Sequence, residues 1–322
     1  MNPERFLADV LSAPMRLERV LDAYSGHGSP LAAVGTVGIE RVLFLGMGSS
    51  RFAALTAAAH LRARGVEAYA ELASTGLPTP PRPGTLVVGI SASGSTAETV
   101  EALARHRGAR KTLTVAVTNR AGSAIERGAD VTLPLLAGDE EGGVACVSFQ
   151  ATLVVLFLLC GRLAGAPAVE MLRPAVAAAE AIRSTRATWL DALVAAVRDA
   201  HTLHTIAPAE RISSALQSAL MMREGPRIAA DANETGDWLH VDVYLSKHPG
   251  YTALLFPGSR FDKDVMTWVQ ERKSSVVAVG MPVDGAALHI PYPDADKPLV
   301  ATLVETGVAE LLAAELWRAP AV

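Results

Sequence analysis

The chain has 322 residues, 50% of them hydrophobic and 19% charged, with 29 Lys and Arg against 33 Asp and Glu for a formal net charge of −4. That balance excludes disorder, which needs low hydrophobicity and high charge, and lacks the basic excess of a nucleic-acid binder. Two cysteines, Cys146 and Cys160, are too few to staple a chain of this size and fit a reducing compartment.

The length favours two domains, each with a core of its own. At the N-terminus Glu4, Arg5 and Asp9 interrupt the apolar core that a signal peptide needs, and no small-residue cleavage site follows, so a soluble cytoplasmic protein is expected. Phe6, Leu7, Val10, Leu11, Leu17, Val20 and Leu21 recur at helical steps, and the turn Ser25 to Pro30 closes this N-terminal helix region, 1–30. The pattern then predicts a strand at Arg41 to Leu45, a helix at Arg51 to Arg64, and strands at Val66 to Glu71 and Thr85 to Ile90. A helix over Thr96 to His106, strands at Leu113 to Val117 and Val131 to Leu135, and a helix at 146–164 complete a first domain, 31–165. Within that last helix the apolar run Ala151 to Gly161 falls short of the roughly 18 residues of a membrane span and reads as a buried core helix. The Ala-rich stretch 166–198 predicts a linker helix.

The second domain, 199–322, opens on a weak strand at Thr202 to Ile206 and a good helix at Ile212 to Arg223. Strands at Thr252 to Phe256, Val276 to Val279 and Ala287 to Ile290, a helix at Phe261 to Glu271 and a closing helix at Leu299 to Trp317 follow. Strands alternating with helices predict α/β units with parallel, doubly wound sheets, and the shared rhythm of the two halves predicts a degenerate internal repeat.

Two segments carry most of the chemistry. One strand runs into Gly46-Met47-Gly48-Ser49-Ser50, another into Ser91-Ala92-Ser93-Gly94-Ser95-Thr96, and each leads into a helix. Backbone N–H groups and hydroxyls are thereby gathered at the positive end of a helix dipole, a natural anion site. A single serine there reads equally as an N-cap, but four hydroxyls in six residues after a buried strand favour a phosphate. Gly46-Met47-Gly48 also opens a dinucleotide-type Gly-x-Gly-x-x-Gly pattern, which Arg51 breaks at its third glycine.

These loops identify the chain as resembling the tandem sugar isomerase (SIS) domain family, which includes the isomerase half of glucosamine-6-phosphate synthase and stand-alone phosphosugar deaminases, isomerases and deglycases. Ser91, Ser93, Gly94, Ser95 and Thr96 match the family's Ser-x-Ser-Gly-x-Thr phosphate loop, and Gly48, Ser49 and Ser50 its first sugar-binding loop. Glu141-Gly142-Gly143-Val144-Ala145 is similar to its Glu-x-Gly-Val-Ala turn, which places Glu141, Val144 and Ala145 at the sugar. The resemblance implies two flavodoxin-like subdomains, each a parallel sheet flanked by helices, with a sugar 6-phosphate ligand and no cofactor. It further implies Glu224 at a helix end as the base that moves a proton between C1 and C2, and His240, 16 residues later, as the ring-opening group. That histidine typically reaches a neighbouring subunit, so a homodimer with shared active sites is expected. The chemistry agrees, since enolisation needs a base tuned upward by partial burial. Asp231, Glu234 and Asp237 beside His240 match no common metal-ligand spacing, and no metal is expected.

The departures bear on reaction type. Met221 stands where the family has a lysine, Ala92 where it often has glutamine, and Cys146 where a serine usually follows Gly-Val-Ala. The family's C-terminal lysine tail has no counterpart, since Asp294-Ala295-Asp296-Lys297-Pro298 precedes the last predicted helix. A sequence opening on Met1-Asn2 also leaves no room for a glutamine amidotransferase half, so catabolic or salvage chemistry on glucosamine- or N-acetylglucosamine-6-phosphate is expected. Isomerisation or deamination is one outcome. Elimination of the C3 group, an etherase-like lyase or dehydratase reaction, is the alternative, and a non-catalytic phosphosugar sensor is a third.

Overall fold

The computed structural model describes residues 1–198 and 200–318; position 199 and residues 319–322, the two ends of the expected second domain, lie outside the described residues. The chain divides into two compact units. The first comprises Met15–Asp139 and Val147–Arg173; the second comprises Met1–Pro14, Glu140–Cys146 and the chain from Pro174 onward. Helix α1 (Pro3–Ala23) therefore contributes its start to one unit and its end to the other.

The first unit holds β1 (Arg41–Gly46), α2 (Gly48–Arg62), β2 (Glu67–Leu72), β3 (Thr85–Ile90), α3 (Ala97–Ala104), β4 (Thr112–Thr118), α4 (Ala124–Arg127), β5 (Val131–Pro134), α5 (Val147–Ala164) and α6 (Val169–Leu172). Its five strands are all parallel in the order β2-β1-β3-β4-β5. Every residue of β3 and all of β1 except Arg41 are buried, as continuous apolar runs in a two-sided parallel sheet require. Helix α5 is long and apolar enough to cross a membrane by length and composition, but 78% of it is buried inside the protein. Its apolar surface is spent on the core: Phe157 meets the His60 ring edge-on at 4.9 Å, and Cys160 Sγ donates to the Ala57 carbonyl at 3.6 Å. Burial there pushes the Cys160 thiol up to about 12 and lowers His60 to about 4.

The second unit holds α7 (Pro174–Ser184), α8 (Leu190–Arg198), β6 (Thr202–Ala207), α9 (Ile212–Glu224), β7 (Ala230–Glu234), α10 (Thr235–Trp238), β8 (Tyr251–Leu255), α11 (Asp262–Arg272), β9 (Ser275–Val279), β10 (Leu288–Ile290), α12 (Pro298–Val304) and α13 (Thr306–Arg318). Its sheet is also all parallel, in the order β10-β9-β8-β6-β7. Counted from its own first strand, each sheet has the 2-1-3-4-5 order of flavodoxin-like folds.

Beyond the short helices α4 and α10, which the sequence pattern does not mark, the structure differs from that pattern in three places. The stretch 166–198 is broken into α6, α7, a 3-10 turn at Arg186–Thr188 and α8, with Pro174 at the first position of α7, where proline is tolerated. The closing helix divides at Glu305 into α12 and α13. The sequence pattern does not mark strand β7, because Ala230-Asp231-Ala232-Asn233-Glu234 alternates only alanine with polar residues and has no β-branched or aromatic side chain; its pairing with β6 at the sheet edge makes it a strand.

Between β6 and α9 the side chain of Arg211 turns inward. It donates from Nη1 to Glu305 Oε2 at 2.9 Å and from Nη2 to the carbonyls of Phe256 and Pro257. Both charged side chains are buried, and burial raises the Glu305 carboxyl while Arg211 opposes the rise. Removing one partner leaves the other buried and uncompensated. Arg211→Met is therefore expected to destabilise the protein by about 3–5 kcal/mol, with Arg211→Met/Glu305→Leu recovering most of the loss, both measured by urea unfolding.

Candidate functional site

Strand order in the first unit reverses between β1 and β3, so the loops after these neighbouring strands flank a crevice at their carboxyl ends. After β1 the chain passes directly into α2, whose N-cap is Met47 and has no side-chain cap. Ser49 and Ser50, half-buried in the first turn, are not capping residues, and Gly48 before them adopts φ +48°.

After β3 the loop folds onto its own hydroxyls. Buried Ser91 Oγ accepts from the Gly94 N–H at 3.1 Å and lies 3.0 Å from Thr96 Oγ1 and 3.5 Å from Ser93 Oγ. Ser95 Oγ donates to Ser93 Oγ at 3.2 Å, and both of these side chains are exposed. Gly94 adopts φ +68°, and a Cβ there would stand 2.3 Å from Ser123, so only glycine passes. Thr96 is the N-cap of α3, yet its hydroxyl makes no capping bond. The first-turn N–H groups of α3 thus face a cluster of four hydroxyls that is not consumed in capping the helix, the environment an oxyanion takes at a helix N-terminus.

In the second unit Glu224 ends α9 and is half-buried. Burial raises its carboxyl above the ordinary value, Glu140 pushes the same way by like charge, and Arg223 opposes them. The segment 140–146 is pinned in this unit by a set of hydrogen bonds. Glu140 Oε1 accepts from the Cys146 N–H at 2.7 Å, Asp9 Oδ2 accepts from the Gly142 N–H at 2.8 Å, and Gln217 Nε2 donates to the Ala145 carbonyl at 2.8 Å. A Cβ at Gly142 would lie 2.4 Å from Phe6 Cα. Gln217, Met221 and Glu224 share one face of α9 at steps of four and three residues. Val144 is buried and Ala145 half-buried, whereas the Glu141 side chain is exposed, 3.7 Å from the Arg5 guanidinium.

Among the described residues, then, the carboxylate that bears on Glu224 is Glu140, and Gln217 ties the 140–146 segment to the helix of Glu224. Sequence spacing selected neither; the one available signal was Gln217 lying two helical turns before Glu224. His240 is exposed beyond α10 and shares a surface cavity of about 400 Å³ with Phe261, Asp264, Trp268 and Glu271. No hydrogen bond or ion pair joins its ring to Glu224 among the described residues. Glu234 caps α10 by accepting from the Asp237 N–H at 2.8 Å. Among the described residues no group of three or more His, Cys, Asp or Glu is disposed to hold a metal ion.

Parallel sheets with a strand reversal, and a cluster of hydroxyls in the loop that follows one of the reversing strands, define a doubly wound α/β protein. Residues 38–160 of the chain match the SIS domain. The chain is 31% identical over 272 residues to glutamine–fructose-6-phosphate aminotransferase (isomerizing) of Aeropyrum pernix, an alignment covering 77% of this chain and 42% of that protein. The chain thus spans less than half the length of the curated relatives it matches. Two solved structures share the fold across nearly the whole chain. The C-terminal domain of glucosamine-fructose-6-phosphate aminotransferase from Francisella tularensis superposes with a TM-score of 0.82 at 19% identity, over 97% of this chain and 96% of that one. Glucosamine-6-phosphate deaminase from Thermotoga maritima gives 0.74 at 18% identity, over 97% and 94%. By sequence the chain is related to isomerizing glutamine–fructose-6-phosphate aminotransferases.

The folded state holds the Glu224 proton more tightly than the unfolded chain does. The resulting loss of stability is absent below the ordinary carboxyl value of 4.5 and grows as pH rises through the raised one. Glu224→Gln is expected to match the parent's thermal midpoint in acid below that value and to exceed it at neutral pH. Equal midpoints at both pH values would refute the desolvation of Glu224.

Proposed function

We propose that the protein processes an amino-hexose 6-phosphate, of the glucosamine-6-phosphate or N-acetylglucosamine-6-phosphate type, by proton abstraction at C1 and C2, with an isomerase or deaminase outcome. The observation that carries this reading is the hydroxyl cluster of Ser91, Ser93, Ser95 and Thr96 at the start of α3, closed by Gly94. These groups hold the 6-phosphate; Gly48, Ser49, Ser50, Val144 and Ala145 meet the sugar, Glu140 or Glu141 adding a carboxylate. The Glu224 carboxylate takes the C2 proton of the open-chain sugar, and the electron pair forms the C1–C2 double bond. Return of the proton to C1 completes an aldose–ketose interconversion, and His240 assists ring opening. The protein acts as a cytoplasmic homodimer in which His240 serves a partner's site, consistent with its exposure.

One observation favours a second outcome. Met221, at the position where the resemblance puts a lysine, is fully buried with Sδ 3.8 Å from Gln217 Nε2, so α9 offers no ammonium there to shuttle protons between O1 and O2. After loss of the C2 proton the electron pair then forms the C2–C3 double bond as the C3–O bond breaks, and the departing oxygen takes up a proton to leave as water or, from an ether, as a hydroxy acid.

Incubation with glucosamine-, N-acetylglucosamine- and fructose-6-phosphate followed by mass spectrometry separates the outcomes. Unchanged mass with new mobility marks isomerisation, release of ammonia with water supplying an oxygen in place of the amino nitrogen marks deamination, loss of water marks elimination, and binding without change marks a sensor. Glu224→Gln is expected to lower kcat by about 10²–10⁴-fold, and Ser93→Ala to raise KM by roughly tenfold, the loss of one hydrogen bond to a charged oxygen. Normal turnover by the first variant sinks the base assignment, and an unchanged KM in the second sinks the phosphate assignment. Mixing inactive Glu224→Gln with inactive His240→Ala is expected to restore about a quarter of parental activity, the share of intact sites in randomly exchanged dimers. No recovery from mixtures shown to have exchanged subunits places His240 in its own chain's site.

A further inference from the structure

At the amino ends of β8 and β9, opposite the carboxyl ends of the second sheet's strands, lies a cavity of about 380 Å³, within the volume range of small-molecule sites. Lys247, His248, Arg272 and Lys273 bring cationic or protonatable groups to its wall, Ser274 and Ser275 bring hydroxyls, and none of its lining residues is a carboxylate. This composition is unusual for a chain whose net charge is negative.

The wall is held in place by its own hydrogen bonds. Arg272 donates to Ser246 Oγ at 2.7 Å and to the Val243 carbonyl, and its guanidinium lies 4.4 Å from the Trp268 ring centroid. Ser274 Oγ donates to the Ser246 carbonyl at 2.5 Å, and Thr252 Oγ1 ties the floor to Ala196 at 3.2 Å. His248 stacks on His201 with centroids 4.2 Å apart and planes 14° from parallel. Its Nδ1 donates to the Pro249 carbonyl at 2.6 Å, which leaves Nε2 for a ligand. Lys273 sits just past α11 at φ +58°, a conformation in which glycine is cheapest, so a long cationic side chain is carried at a position the backbone would give to glycine. The exposed Lys247 and Lys273 are in no ion pair among the described residues.

We propose that this cavity is a second anion site, for a small phosphorylated metabolite, separate from the hydroxyl cluster after β3. Two lysines, an arginine and a histidine line a space too small for a polymer, with Lys247 Nζ 5.9 Å from the Tyr244 ring centroid, and cations of this kind recognise phosphate groups. The two candidate sites differ in chemistry: the loop after β3 uses hydroxyls and helix N–H groups, whereas this one uses side-chain cations.

Isothermal titration with inorganic phosphate at low ionic strength tests it. Two sites per chain are expected in the parent protein and one in Lys247→Gln/Lys273→Gln, with the cation-dependent site weakened at least about tenfold. Adding Ser93→Ala to that double variant is expected to weaken the remaining site by roughly tenfold, and Lys273→Arg to keep both. An unchanged thermal midpoint shows that the double variant is folded. If that variant binds phosphate with the parent's stoichiometry and affinity, or if the parent has a single site lost with Ser93→Ala alone, the second site does not exist. The lysine pair alone decides this cavity, whereas the response to Ser93→Ala reports on the phosphate loop, so either reading can fail without the other.

Discussion

A parallel sheet whose chain begins near its middle must reverse direction once. At that reversal two neighbouring strands send their following segments to opposite faces, which leaves a crevice between their carboxyl ends. The fold makes this crevice twice, between β1 and β3 and between β6 and β8, and the two are treated in opposite ways. In the first unit the strands run out into Gly46 to Ser50 and Ser91 to Thr96, so small residues and hydroxyls line the opening. In the second unit the crevice is occupied by the protein itself: the guanidinium of Arg211 bonds to the carbonyls of Phe256 and Pro257 at the end of β8 and to the carboxylate of Glu305. Gly258, at φ +142°, leaves room for it, since a Cβ there would lie 2.7 Å from Arg211 Nη2.

Filling one crevice with a buried ion pair explains why the same topology yields a ligand-type loop in one unit and none in the other. At the corresponding place in the second unit an arginine donates to carbonyl oxygens, whereas in the first the Gly94 N–H donates to the Ser91 hydroxyl. Freed of that task, the second unit presents the C-terminal end of α9 instead, where a carboxylate is partly withdrawn from water. The polarity of the two ends matters: the N-terminus of α3 favours an anion, and the C-terminus of α9 disfavours ionisation of a carboxylate placed on it, which helps a base hold its proton.

Legibility of the fold in the sequence followed burial. Strands β1 and β3 are apolar runs buried on both faces and punctuated by Gly and Ser, so both the strands and the loops after them could be read directly. Strand β7 could not, because an edge strand held by pairing with β6 needs no apolar pattern. The phosphate-type loop was legible because its hydroxyls lie within six residues of one another, and its internal bonds are local. The surroundings of Glu224 were not: Glu140, Ala145 and Gln217 meet there across 72 or more residues of chain. Spacing within Glu140-Glu141-Gly142-Gly143 favoured Glu141, but the turn through Gly142 and Gly143 sends Glu141 to solvent and keeps Glu140 bonded to the Cys146 N–H. The linker was misread as one helix because Ala-rich composition speaks for helix at every position and says nothing of where tertiary packing bends it.

How Glu224 is raised constrains what it can do. Its basicity comes from partial burial and from the like charge of Glu140, while the nearest cation, Arg223, acts against both. A base tuned in this way removes a proton well, because it gains when it becomes neutral, but it brings no positive charge to the oxyanion that forms as the proton leaves. On α9 the residue one turn earlier, Met221, is apolar, and Gln217 has committed its amide N–H to the Ala145 carbonyl. Charge developing on the substrate oxygen must then be met by backbone N–H groups or be discharged from the substrate altogether. The second course is elimination, in which the electron pair leaves with the departing group and no long-lived enediolate has to be stabilised. On the proposed reading, the surroundings of Glu224 therefore weigh on the choice between proton return and elimination more heavily than the loop after β3 does, because the phosphate contact proposed for that loop is the same in either case.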